Sequence, residues 1–221
     1  MAVTQRNERA ATKLIEDKDI VFTGEIEFTG PLSGVNRSAL TEESNAVFVI
    51  RAQDWRVFDN MASLLPTAGA TDDLGIVEGT HGTSTPTLQT EDLKAEGGNP
   101  TLNKARTVYP LPESYIDGQS VTLRFHAGML TAIADDAATL DVSVFKSDGE
   151  GGVSGADLYT GAALSINSLT LADKDFELTS TGLATGDELD ILITTSVSDA
   201  ASVDAVIATV TKTKVLIDIK G

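Results

Sequence analysis

The stretch "QSVTLRFHAGML", residues 119–130, decides the fold. Val121, Leu123, Phe125, Ala127 and Met129 alternate with Thr122, Arg124 and His126. A period of two predicts a strand with one buried and one wet face. A turn at Asp117-Gly118 leads into it. Downstream, "ATLDVSVFKSD" (138–148) repeats the pattern with Leu140, Val142 and Val144 inward. "GDELDILITTSV" (186–197) does so with Leu189, Ile191 and Ile193, and "AVIATVTKTKVLIDIK" (205–220) with Val215, Ile217 and Ile219. "ALSINSLTL" (163–171) and "KDFELTS" (174–180) predict shorter strands, and "GEGGVSG" (149–155) a turn.

Upstream of this region, "NAVFVIRAQDWRVFD" (45–59) opens the main body. Val47, Val49 and Arg51 share one side of a strand, and Phe48 and Ile50 the other. "DWRVFDNMASLLP" (54–66) fits a second strand or a short helix ending before Pro66. Residues 67–106 are rich in Gly, Thr and Asp and predict a long loop region, with "TPTLQTEDL" (85–93) as an edge strand. About eight strands without strand–helix alternation predict an all-β, jelly-roll-like antiparallel β-sandwich over residues 46–221.

Residues 1–45 differ from the rest. Asn7 is placed to cap a short helix in "NERAATKLIE", with Ala10, Ala11, Leu14 and Ile15 on one face. "DIVFTGEIEFTGPLSGVNRS" (19–38) carries Phe22, Ile26 and Phe28 but is broken by Gly24, Gly30, Pro31 and Gly34. This reads as an extended N-terminal arm, too short to build its own core.

The 221 residues carry a formal net charge of −17 and are 41% hydrophobic. That apolar content supports a core. The acidic balance disfavours nucleic acid as a partner and discourages contact with anionic membranes. No run approaches the length of a membrane span, and the first residues lack the apolar core of a signal peptide. With zero Cys there is no disulfide framework, thiol nucleophile or thiolate metal site.

Candidate chemistry is thin. His81 lies in the loop "GTHGT", and His126 on a polar strand face, with no metal-ligand spacing around either. "GGVSGA" (151–156) approaches a nucleophile elbow, but Ala156 stands where the last Gly belongs, and no helix follows. Asp72-Asp73, Asp135-Asp136, Asp173 with Asp175, and Asp187-Glu188 read as solvated turn residues. An incidental Ca²⁺ site or a glycosidase pair among them would need convergence that sequence does not display. No catalytic residue, cofactor or metal is expected. Asn36-Arg37-Ser38 fits a glycosylation sequon, read as coincidental. The single Trp, Trp55, is flanked by Arg51 and Arg56; core packing competes with Arg stacking at an interface.

Taken together, "YPLPESYIDGQSVTLRFHAGML", "ATLDVSVFKSDGEGG", "SINSLTLADKDFELTSTGLATGDELDILITTSV" and "VLIDIKG" resemble jelly-roll capsid decoration (cement) proteins of tailed bacteriophages. The run Leu183, Gly186, Asp187, Leu189, Ile193 carries much of the resemblance. It covers residues 107–221, and 46–106 more loosely. It implies a non-enzymatic virion structural protein, made in the host cytoplasm and bound as a homotrimer to the major capsid protein on the capsid surface. Leu14, Ile15, Phe22, Ile26, Phe28, Trp55 and Arg56 are then the expected interface residues. A carbohydrate- or receptor-binding sandwich of a phage tail or fibre is the alternative, with its site in loops 67–85 and 148–156. A shell-forming capsid subunit is a further one.

Overall fold

A computed structural model describes residues 43–220, with side chains from Ala46 onward. Leu14, Ile15, Phe22, Ile26 and Phe28, and the sequon at Asn36, lie outside the described residues. Those described form two antiparallel sheets packed face to face. The chain runs β1 Glu43–Ile50, β2 Arg56–Val57, β3 Asn60–Leu64, β4 Gly75–Val77, β5 Thr87–Gln89, β6 Thr101–Pro110 and β7 Val121–Met129. It continues through β8 Ala137–Ser147, β9 Val153–Ser154, β10 Leu164–Ser165, β11 Ala172–Glu177, β12 Glu188–Ser198 and β13 Ala208–Lys220. The first sheet has the order β11-β7-β13-β5-β4, with β1 also on β13. The second has the order β10-β8-β12-β6-β2-β3, with β9 on β8. This is the jelly-roll-like antiparallel β-sandwich expected from the alternating strands.

The alternation places the core. Val121, Leu123, Phe125, Ala127 and Met129 of β7 are all buried, as are Leu189, Ile191, Ile193 and Val197 of β12. Each such aliphatic or aromatic side chain contributes about 1.5–3 kcal/mol on burial. An aromatic chain runs through the middle: Trp55 to Phe125 at 6.4 Å, Phe125 to Phe176 at 5.6 Å, Tyr159 to Phe176 at 5.1 Å between ring centres. The last two pairs meet edge to face, the arrangement the ring quadrupole favours. β13 carries the first sheet: β7 lies along one side, and β5 then β1 along the other. A bulge between Val210 and Lys212 shifts its register against β7 and turns the strand locally.

The structure decides one open reading and changes three expectations. Residues 54–66 form a β-hairpin, β2–β3, after a 3-10 turn at Ala52–Asp54. The stretch 67–106 contains β4, β5 and the start of β6. β5 is not an edge strand, since it lies between β13 and β4. Trp55 is 1% exposed and packs in the core, so it is unavailable as a surface anchor. Arg56 does not stack on its ring; the Nη1 donates to the carbonyls of Trp55 (2.9 Å) and Gln53 instead.

The Gly-rich loop before β4 has a steric cause. A Cβ on Gly75 would sit 2.0 Å from the carbonyl carbon of Ala68, and one on Gly69 2.2 Å from the Glu91 nitrogen. Only glycine allows the loop to close this tightly on β5. At the other end of the sandwich, Gly186 takes φ +82, and Asp187 accepts the Ala184 N–H at 2.7 Å. Leu183 and Leu189 are buried on either side of this turn.

Candidate binding face

The outer face of the second sheet carries a shallow depression built by strand register. β6, β8 and β12 lie side by side, with Asp190 opposite Phe145 on one flank and Val108 on the other. One step along, Leu192 faces Ser143 and Arg106. Arg106 is therefore diagonal to Asp190, within reach of a long side chain. Its Nε donates to Asp190 Oδ1 at 2.6 Å and its Nη2 to Oδ2, a two-pronged pairing. That hydrogen bonding raises the arginine's already high pKa against the opposing effect of burial, so the guanidinium stays charged. β2 adds Arg56 beside Arg106, and the next residue but one, Phe58, closes the rim. Lys104 Nζ sits 4.5 Å from the centre of the Phe58 ring, which fixes that ring from one side.

Phe58, Arg106, Ser143, Phe145, Asp190 and Leu192 line a shallow depression of about 190 Å³. It is smaller than a pocket for a drug-sized molecule, roughly 300–1,000 Å³. Three apolar side chains provide flat or rounded walls. Two of the five guanidinium N–H groups are given to Asp190, and the rest remain to donate. Within the lining of the depression the one carboxylate, Asp190, is matched by the one guanidinium, Arg106.

The other charged cluster is a ladder on the outer face of the first sheet. Arg124 donates from Nε and Nη2 to the two oxygens of Asp175, both at 2.6 Å. Asp173 lies 3.7 Å from Arg124 Nε and 2.7 Å from His126 Nδ1. The His126 hydrogen bond, aided by the nearby cations, holds the Asp173 carboxyl below its ordinary pKa. Among the described residues no hydroxyl side chain bonds to the His126 ring, so the His–Asp pair has no nucleophile to activate. No three His, Asp or Glu side chains among the described residues converge as metal ligands.

Of the paired carboxylates, Asp135, Asp136 and Asp187 fasten loops, and Asp173 and Asp175 pair with Arg124 and His126 from β11. Asp199, outside these pairs, fastens loops more strongly. Asp199 is buried and accepts the N–H of Ala95 (2.7 Å), Asp135 (2.9 Å) and Ser202 (3.2 Å), and the Ser202 hydroxyl. Asp135 accepts the Ala201 N–H at 2.7 Å and the Ser202 hydroxyl at 2.9 Å. Asp187 lies 2.6 Å from Lys146 Nζ. Of the loops expected to carry a site, 67–85 presents an exposed His81, and 148–156 is folded on itself by Asp148, which accepts the Glu150 and Gly152 N–H groups, both at 2.8 Å. Neither contributes to the depression, but Asp148, Gly149 and Ser154 of the second loop line a larger cleft of about 510 Å³ with Lys146, Asp187 and Glu188. Phe58, Phe145, Arg106, Asp190 and Leu192 were not marked by the sequence, since they come from four strands or turns and meet only through strand register.

No protein-family profile and no curated relative matches the chain. Solved structures with a similar fold include a module titled TmCBM61 in complex with β-1,4-galactotriose, at 13% identity and TM-score 0.38, covering 76% of this chain and 90% of that one. They also include the xylan-binding module CBM15, at 12% identity and TM-score 0.38, covering 80% and 100%. A third is Caldicellulosiruptor saccharolyticus CBM27-1 in complex with mannohexaose, at 11% identity and TM-score 0.38, covering 76% and 96%.

Proposed function

We propose that the chain is a non-catalytic recognition β-sandwich that binds a neutral carbohydrate on the outer face of its second sheet. The observation that carries this reading is the Arg106–Asp190 pair framed by Phe145, Leu192 and Phe58. A sugar ring presents C–H faces and a belt of hydroxyls that both donate and accept. Phe145 and Leu192 suit the former. Arg106, Asp190 and Ser143 suit the latter, with donors and acceptors side by side. An anionic ligand is disfavoured by the net charge of −17 and by the neutrality of the Arg–Asp pair. The open, shallow shape fits binding without turnover, because it neither excludes water nor aims a base at a bond.

The test is a glycan array, followed by titration calorimetry with mannohexaose, xylohexaose and β-1,4-galactotriose. Binding that drops at least tenfold in Phe145→Ala and in Asp190→Ala, with folding retained, supports the reading. Absence of binding to any neutral glycan, or binding untouched by both substitutions, overturns it.

A second reading is a virion decoration protein attached to a major capsid protein. It rests on the resemblance of residues 107–221. Co-sedimentation with expanded capsids tests it. Loss of binding on deleting residues 1–45 is the expected result, and unchanged binding would count against the arm as the attachment element.

A further inference from the structure

We infer that β1 is a self-pairing edge, through which two copies of this chain join their first sheets about a two-fold axis. β1 pairs along its whole length with β13, from Glu43↔Lys220 to Ile50↔Thr213, without a register shift. Among the described residues it has no strand on its other side. Edge strands left in water are normally blunted by charge, proline, bulges or shortness. The remaining edges here follow that rule. β11 carries Asp173, Lys174, Asp175 and Glu177, β4 has three residues, and β9 and β10 have two each. β3 has five residues and is fed by a bulged hairpin. β1 has eight, and Asn45–Ile50 holds no charge, proline or glycine.

The sequence Ala46-Val47-Phe48-Val49-Ile50 is close to symmetric about Phe48. In an antiparallel pair centred there, Val47 of each copy lies opposite Val49 of the other, and Ala46 opposite Ile50. Opposite residues share a face, so all four valines come together on the outer surface. Val47 is 56% and Val49 64% exposed in the single chain. Leu216, the cross-strand neighbour of Val47, extends this cluster, and Lys214 is the neighbour of Val49. Two copies each carrying −17 repel. The uncharged edge is flanked by Lys212 and Lys214 on the same outer face, which offset part of that repulsion locally. A two-fold contact of this kind closes on itself and so stops at two.

The test uses the full chain. Light scattering after size exclusion should give twice the 23.1 kDa chain mass. A Val47→Lys, Val49→Lys variant should halve it without changing the circular dichroism, since both side chains are largely exposed. The chain has no cysteine, which permits a register test that does not depend on that variant folding. Val47→Cys protein mixed with Val49→Cys protein should oxidise to the mixed disulfide dimer several-fold more than either alone. A mass of 23.1 kDa at every concentration, an oligomer that survives the double-lysine change, or crosslinking of each cysteine variant with itself as efficiently as in the mixture would overturn the inference.

Discussion

Replacing Asp199 by Asn should loosen one end of the sandwich. The carboxylate is buried and receives four hydrogen bonds, from the N–H groups of Ala95, Asp135 and Ser202 and from the Ser202 hydroxyl. It thereby ties three loops that are distant in sequence. Oδ2 serves Ala95 and Ser202 N–H, and Oδ1 serves Asp135 N–H and Ser202 Oγ. Asparagine keeps one oxygen and turns an NH₂ toward donors on the other side. With the NH₂ in the Oδ1 place the Asp135 N–H loses its charged acceptor, worth about 1.5–3 kcal/mol. The Ser202 hydroxyl turns to accept, and the bonds that remain weaken as the acceptor becomes neutral. These effects overlap, which gives a loss of about 3 kcal/mol. For a domain of this size that corresponds to a fall in Tm of about 6–12 °C. The pH dependence is diagnostic. Burial alone would raise the Asp199 pKa, but the hydrogen bonds from Ser202, Ala95 and Asp135 override it and hold the value at about 2. A depressed folded-state pKa contributes stability that is complete above the unfolded value, about 3.9, and is lost as pH falls through the folded value. The gap between wild type and Asp199→Asn should therefore be full at pH 7 and shrink between pH ~4 and ~2. Thermal melts at pH 7, 4, 3 and 2 measure it. A variant within about 1 °C of wild type at pH 7, or a gap that does not change with acid, would refute the reasoning.

Phe125→Ala removes the ring between Trp55 and Phe176 and should cost about 3–5 kcal/mol in urea unfolding. Gly75→Ala forces its Cβ to 2.0 Å from backbone and should destabilise by about 1–3 kcal/mol, with faster proteolysis at loop 66–75 as the readout. Arg106→Ala should cost under about 1 kcal/mol of stability, because the guanidinium is partly exposed, yet should weaken glycan binding by tenfold or more.

The long strands β7, β8, β12 and β13 were legible because large aliphatic residues alternate with polar ones over nine or more positions. β6 was hidden for the opposite reason. Its inward residues include Asn103, Ala105 and Thr107, while Leu102 and Val108 point outward. Neighbouring loops meet part of their hydrogen-bonding need: Asn103 Nδ2 donates to the Asp73 carbonyl at 3.2 Å and Thr107 Oγ1 to the Asp54 carbonyl at 3.0 Å, while Asn103 Oδ1 is left without a partner. β4 and β5 are three residues each and exist through pairing with one another and with β13, which no local pattern encodes. Trp55 drew attention as the single tryptophan, but a large apolar ring next to a strand is more valuable inside. The depression escaped notice because Phe58, Arg106, Phe145 and Asp190 are separated by tens of residues. Register alone brings them together.

The measurement that bears most directly on the central claim is a ¹⁵N-resolved NMR titration of the full chain with mannohexaose, xylohexaose and β-1,4-galactotriose. The account predicts that at least one of these shifts the resonances of Arg106, Ser143, Phe145, Asp190 and Leu192 in a saturable manner. Shifts confined to the first sheet, or none with any of the three sugars, would contradict it.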